Sequence, residues 1–143
     1  MEEYDCLKLD RQLCFPLYAA ARKVIAQYSE PLARIGLTYT QYVTMMVLWE
    51  EKTVSVKELG RRLYLDSGTL TPLLKSMEKK GLIVRARSKS DERVVELTLT
   101  EAGARLRDQA AGVPAQVSAC VKLPQSDAKE LYRLLYQLLG AIE

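Results

Sequence analysis

A chain of 143 residues, 48% hydrophobic and 27% charged, has room for one domain and enough apolar material to bury a core, which excludes a disordered polymer. No apolar run approaches the roughly 18 residues of a membrane span. The acidic opening Met-Glu-Glu-Tyr-Asp-Cys lacks the apolar stretch of a signal peptide, so the cytoplasm is the expected location. There is no histidine, and the three cysteines (Cys6, Cys14, Cys120) follow no CxxC spacing. His-based acid/base catalysis, His-ligated metals, a zinc site and a disulfide scaffold are therefore set aside, and no cofactor is expected.

Along residues 9–28, Leu9, Leu13, Leu17, Ala20/Ala21, Val24 and Tyr28 recur with the spacing of one helix face. Pro16 interrupts that pattern. Proline is tolerated in a first helical turn and costly further in, so the long helix is predicted to start near Cys14 behind a looser lead-in. Pro31 and Gly36 punctuate a short segment, and Thr38 to Glu50 reads as a second helix. Ser55 to Leu63 reads as a short helix, followed by the turn Tyr64-Leu65-Asp66. A further helix opens at Asp66/Ser67, where either side chain can accept from free N–H groups. Its stripe Leu70, Leu73, Leu74, Met77 ends at Gly81, which can take a positive φ. Leu82 to Arg87 and Val94 to Leu99 are β-like around a polar turn at Ser88 to Arg93, a predicted hairpin. Thr100 starts a helix to about Val113, and Pro124 to Ile142 forms a leucine-rich closing helix. The stripe Leu131, Leu134, Leu135, Leu138 and Ile142 fits either a core face or an interface.

The net charge of +3 is unevenly distributed. Between Lys52 and Arg93 eleven basic side chains face five acidic ones, a net of +6 that leaves −3 for the rest. Charge alone fits a solvated surface as well as a polyanion site. The element order adds more: short helix, three-residue turn, capped second helix and basic hairpin describe a winged helix-turn-helix. In that motif the second helix presents its first turns to the major groove. Ser67, Gly68, Thr69, Thr71, Pro72 and Lys75 are the candidate groove residues, small or hydroxylated so that the backbone can approach closely. Lys75, Lys79 and Lys80 are candidate phosphate contacts, and Arg85, Arg87, Lys89 and Arg93 would lie on an arm able to enter the minor groove. Pattern, cap and charge coincide, which favours double-stranded DNA over a helical domain with a merely structural hairpin.

The run Leu-Tyr-Leu-Asp-Ser-Gly-Thr-Leu-Thr-Pro-Leu-Leu-Lys (63–75), the Glu-Lys-Lys-Gly-Leu-Ile (78–83) and the wing Asp91-Glu-Arg93 followed by Leu99-Thr100 resemble the MarR family of bacterial regulators. The resemblance implies a mainly α fold with a β-hairpin wing, assembled as a homodimer through its first and last helices. In these terms residues 1–143 form one winged helix-turn-helix unit. Residues 1–35 and 101–143 would supply the dimerisation helices, and 36–100 the DNA-binding lobe, with its wing at 82–99. It also implies that Arg93 enters the minor groove while Asp91 steadies the wing.

Within that family, Leu9-Asp10-x-Gln12-Leu13-Cys14-Phe15, Tyr28, Tyr39-x-Gln41-Tyr42, Leu48-Trp49-Glu50 and the 66–72 string are similar to the organic-hydroperoxide-sensing repressors. The likeness implies that Cys14 is oxidised by an organic hydroperoxide and that the dimer then releases its operator. Tyr28 and Tyr39 of the partner subunit would hydrogen-bond the Cys14 sulfur. Cys120 would act as a resolving thiol for the partner's Cys14, with a low-molecular-weight thiol as the other cap for the sulfenic acid. The chemistry is compatible, since a thiolate is favoured at a helix N-terminus and beside hydrogen-bond donors. Leu13, Phe15, Trp49 and the tyrosines are candidates for an apolar wall around the thiol. An inert buried cysteine is the plainer reading of Cys14 on residue type alone. Two departures from the family pattern stand out: Pro16, and residues 111–115 (Ala-Gly-Val-Pro-Ala), which are predicted to kink the fifth helix.

The alternative reading is a MarR-type repressor released by a small aromatic or phenolic ligand without cysteine chemistry. A thiol peroxidase would need Arg11 or Arg22 to activate the peroxide and would leave the basic hairpin unexplained, so no enzyme activity is expected.

Overall fold

Four helices start at side-chain caps that the sequence spells out. Thr38 opens α3 (Tyr39–Glu51) with a full capping box, its hydroxyl accepting from Gln41 N while the Gln41 side chain accepts from Thr38 N. Ser55 caps α4 (Val56–Leu63), Asp66 caps α5 (Ser67–Lys79) and Thr100 caps α6 (Glu101–Ala110), each accepting from the backbone N–H three residues on. The computed structural model describes residues 3–142. Met1 and Glu2, which begin the acidic opening noted above, and Glu143 lie outside the described residues.

Two 3₁₀ turns, Asp5–Leu7 and Leu9–Arg11, form the lead-in to α1 (Cys14–Ala26). Buried Asp5 ties them together through Lys8 (3.0 Å) and Arg11 (2.7 Å). Residues 29–36, read only as punctuated, contain the short helix α2 (Ser29–Ala33). A further element not foreseen is β1 (Thr53–Ser55), which joins β2 (Ile83–Arg87) and β3 (Val95–Leu99) in a three-stranded antiparallel sheet of order β1-β3-β2. Central Leu97 faces Val54 on one side and Arg85 on the other. The hairpin thus has a third strand anchoring it to the lobe.

The break in the fifth long helix falls where the sequence predicts a kink. Helix α6 stops at Ala110 and α7 (Val113–Ser118) begins afresh. Pro114 has no N–H to give to the Ala110 carbonyl, so the ladder cannot run through. A last helix, α8 (Gln125–Ala141), closes the fold.

The core lies inside the lobe. Met45, Leu48, Leu59, Leu70, Leu74, Met77, Ile83 and Leu97 are almost completely buried where α3, α4, α5 and the sheet meet. Trp49 locks α6 onto α3 by donating Nε1–H to the Gly103 carbonyl at 2.9 Å. Gly103 is required there: a Cβ would collide with the Leu82 carbonyl oxygen and lie 2.8 Å from Leu99 Cδ1. By contrast α1 and α8 contribute no buried residue. Leu13 is 83% exposed and Ile142 64%, and Phe15, Leu17, Leu131, Leu134 and Leu138 are also exposed. The α8 stripe is therefore not core in the chain.

Candidate functional site

The outward face of α5 is built by its cap. Asp66 Oδ1 accepts the Thr69 N–H at 2.8 Å, which holds the Asp66 carboxyl below its ordinary pKa and fixes the first turn. Ser67, Gly68, Thr69, Thr71, Pro72 and Lys75 are all exposed, while Leu70, Leu74 and Met77 turn inward. Gly68, Thr71, Pro72 and Lys75 follow i, i+3, i+4, i+7 spacing and share one stripe. The Thr71 hydroxyl donates to the Ser67 carbonyl at 2.8 Å. Pro72 sits in the second turn rather than the first. Its missing N–H leaves the Gly68 carbonyl without its ladder donor on an exposed face, where water can serve.

The wing is stiffened by its own side chains. Asp91 receives the Arg93 backbone N–H and Nε–H, both at 3.1 Å, so the Asp91 carboxyl titrates below its usual range. The Arg93 side chain is nevertheless 90% exposed at the tip. Arg87 donates to the Glu92 carbonyl at 2.8 Å, and the Ser88 and Ser90 hydroxyls meet at 2.9 Å. Lys89 is exposed.

Two basic residues make bonds that no local pattern announces. Arg85 is a strut between sheet and recognition helix: its backbone N–H and guanidinium donate to Glu78 at 3.1 and 3.2 Å, lowering the Glu78 pKa. Lys80, read as a phosphate contact, instead donates to the Gly36 carbonyl at 2.7 Å and to Gln41 Oε1 at 2.9 Å. The cause is tertiary proximity across 44 and 39 residues, which no local pattern carries.

The sensor residues fall into two groups. Cys14 is the first residue of α1, exposed, behind a Leu13 that offers no side-chain cap. The N–H groups of that first turn have no side-chain cap, and Pro16 within it has no N–H to offer. A concavity lined by Leu9, Asp10, Gln12, Phe15 and Pro16 opens beside that turn. Tyr28 and Tyr39 lie together, ring centroids 4.9 Å apart and edge-on, with Tyr42 at 5.8 Å from Tyr28 and 6.3 Å from Tyr39. Burial first, then Tyr28 and Tyr136, raise the Tyr39 pKa, so its phenol stays protonated and can donate. Tyr42 stands in the Tyr39-x-Gln41-Tyr42 string, whereas Tyr136 was not legible in the sequence and shows itself only through its influence on Tyr39.

Cys120 follows α7, exposed, its Sγ 3.5 Å from the Gln116 carbonyl; Cys6 is exposed in the first 3₁₀ turn. Trp49 does not join the apolar surroundings of Cys14 in the chain, being committed to Gly103. Among the described residues no cluster of potential ligands could hold a metal ion, and no helix is long and apolar enough to cross a membrane.

Comparison with known proteins matches residues 27–109 to the family "Transcriptional regulator SarA/Rot". The organic hydroperoxide resistance transcriptional regulator of Bacillus subtilis (strain 168) is 47% identical over 140 residues, covering 98% of this chain and 95% of that protein. A solved structure of reduced AbfR bound to DNA superposes with a TM-score of 0.77 at 36% identity, covering 98% of both chains. The disulfide-formed state of AbfR, a protein of Staphylococcus epidermidis, gives 0.65 at 35% identity, covering 96% of each chain. With its capped helix-turn-helix and sheet-anchored wing, this chain belongs to the MarR-type winged-helix transcriptional regulators, in the branch of the organic hydroperoxide resistance regulators.

Proposed function

We propose that this chain works as a homodimeric repressor that holds operator DNA while Cys14 is reduced and releases it when an organic hydroperoxide oxidises Cys14. The observation that carries this reading is the separation of the sensor groups along α1. Cys14 opens the helix and Tyr28 follows its far end. At about 1.5 Å per residue the two are about 20 Å apart, beyond the reach of a tyrosine side chain. A second copy with its first helix antiparallel brings the partner's tyrosines to the thiol, and the uncovered apolar faces of α1 and α8 supply the surface for that pairing.

The hydroperoxide supplies the oxidising equivalents. The Cys14 thiolate attacks its terminal oxygen: an S–O bond forms, the O–O bond breaks, and the leaving alkoxide takes a proton from water to become the alcohol while Cys14 becomes sulfenic acid. That acid condenses, with loss of water, either with Cys120 of the partner subunit or with a low-molecular-weight thiol. Loss of the thiolate removes the acceptor for the tyrosine O–H groups, and the two reading heads lose the spacing of about one helical turn that paired half-sites demand. Ser67, Gly68, Thr69, Thr71 and Pro72 read the groove, Lys75 takes phosphate, Arg85 braces the wing, and Arg87, Lys89 and Arg93 extend along it. The regulator names borne by the relatives support a role in transcription rather than catalysis, and a cytoplasmic location follows from that role.

A gel-shift titration of reduced and cumene-hydroperoxide-treated protein on its operator tests the reading, with Cys14→Ser and Cys120→Ser in parallel. Loss of binding on oxidation, abolished in Cys14→Ser, is the expected result. Unchanged wild-type binding after complete thiol oxidation contradicts it and leaves release by a small aromatic ligand as the better account.

A further inference from the structure

Gln41 is 4% exposed and lies one turn into α3, two residues after Tyr39. Its amide does more than cap. Oε1 accepts from Thr38 N at 3.1 Å and from Lys80 Nζ at 2.9 Å, while Nε2 donates to Ser76 Oγ at 3.1 Å. The orientation of the amide is forced, because a backbone N–H and an ammonium can only donate, so the oxygen must face them. Lys80 completes the knot by donating to the Gly36 carbonyl at 2.7 Å. Ser76 belongs to α5 and Lys80 is its C-cap. One buried side chain therefore joins the loop before α3, the first turn of α3 and the trailing end of the recognition helix.

The same first turn of α3 carries the sensor side. Tyr39 is its first residue and stacks edge-on against Tyr28, and buried Tyr42, next to Gln41, touches the same ring. A capping box needs only the reciprocal Thr38–Gln41 pair. The bonds to Ser76 and Lys80 exceed that need and occupy a lysine that the basic lobe would otherwise turn to DNA.

We propose that Gln41 is a positioning residue that carries the position of Tyr39 to the recognition helix, with Ser76 and Lys80 as its receiving contacts. A shift of the Tyr28/Tyr39 pair moves the α3 first turn, and the amide drags the C-terminal end of α5 with it. Such a buried polar link, bonded at both ends, transmits a displacement that an apolar contact would let slip. The inference rests on the redox reading above.

The test compares operator Kd for the oxidised and reduced forms of wild type, Gln41→Leu, Gln41→Glu and Lys80→Met. Thermal midpoints and Cys14 oxidation rates are measured alongside. In Gln41→Leu the oxidised-to-reduced Kd ratio is expected to fall at least fivefold, with the oxidation rate unchanged within twofold. Gln41→Glu keeps both acceptor bonds and can accept from the Ser76 hydroxyl, so it restores the ratio. Lys80→Met leaves the capping box intact, lowers the ratio in the same direction even if Gln41→Leu fails to fold, and leaves the salt dependence of reduced binding as in wild type. A purely structural Gln41 would lower the melting point and shift both Kd values together; a ratio unchanged in both Gln41→Leu and Lys80→Met overturns the proposal. A loss of about one unit of salt slope in Lys80→Met overturns it too, by marking Lys80 as a phosphate contact. A wild-type ratio of one removes the redox reading itself, and the relay with it.

Discussion

A thiol meets a peroxide as its thiolate, so what surrounds Cys14 decides the rate. In the proposed dimer the donor to the sulfur is Tyr39 of the partner subunit, a phenol that burial keeps protonated. A hydrogen bond to a charged acceptor is worth about 1.5 kcal/mol or more, roughly tenfold in a population or a rate. Tyr39→Phe is thus expected to slow Cys14 oxidation about tenfold at neutral pH. Stopped-flow measurement of sulfenic acid formation checks this, and a rate identical to wild type counts against any role of Tyr39 at the sulfur. Asp66, Glu78 and Asp91 have pKa values lowered by the N–H groups they accept from, so what they add to the fold is present above their ordinary range. It is lost as pH falls through the lowered values. Cap and wing bonds therefore survive mild acidification.

Elements were legible in the sequence in proportion to how local their causes are. The Asp66 cap, the Gly81 stop and the Asp91–Arg93 wing each rest on residues a few positions apart, and the structure has them as expected. The kink at 111–115 was legible through Pro114 alone. Strand β1 was not: three residues carry no measurable alternation, and Val54 becomes a strand residue only because Leu97 lies opposite. The bonds of Arg85 and Lys80 were not legible for the same reason, since their partners are fixed by packing. Gly103 illustrates how tightly that packing is drawn. Gly103→Ala forces a methyl into the Leu82 carbonyl and is expected to destabilise the fold by about 1–3 kcal/mol. Gly140→Ala, on α8 with nothing within 4 Å of the new Cβ, is expected to stabilise by about 0.5–1 kcal/mol through helix propensity. Urea melts of the two variants decide it, and equal effects would refute the packing described for α6.

The whole molecule has a lobe with a largely apolar core and two long helices that contribute no fully buried residue. On their exposed leucines the proposed dimer rests, and the sequence stripe on α8 left them open between core and interface. The chain is expected to sediment at twice its 16.2 kDa mass. Leu131→Glu with Leu138→Glu is expected to yield monomers that keep the lobe folded yet bind a two-half-site operator at least a hundredfold more weakly, since neither half-site is then tethered to the other. A double variant that remains dimeric and binds normally would place the interface elsewhere. Release of the operator by oxidation of one thiol is measured by titrating the dimer–operator complex with cumene hydroperoxide. Anisotropy follows release while mass spectrometry counts oxidised Cys14 in the same samples. Release that rises in step with Cys14 oxidation, and returns on reduction by dithiothreitol, is the outcome this account requires. Full oxidation of Cys14 with the operator still bound would contradict it.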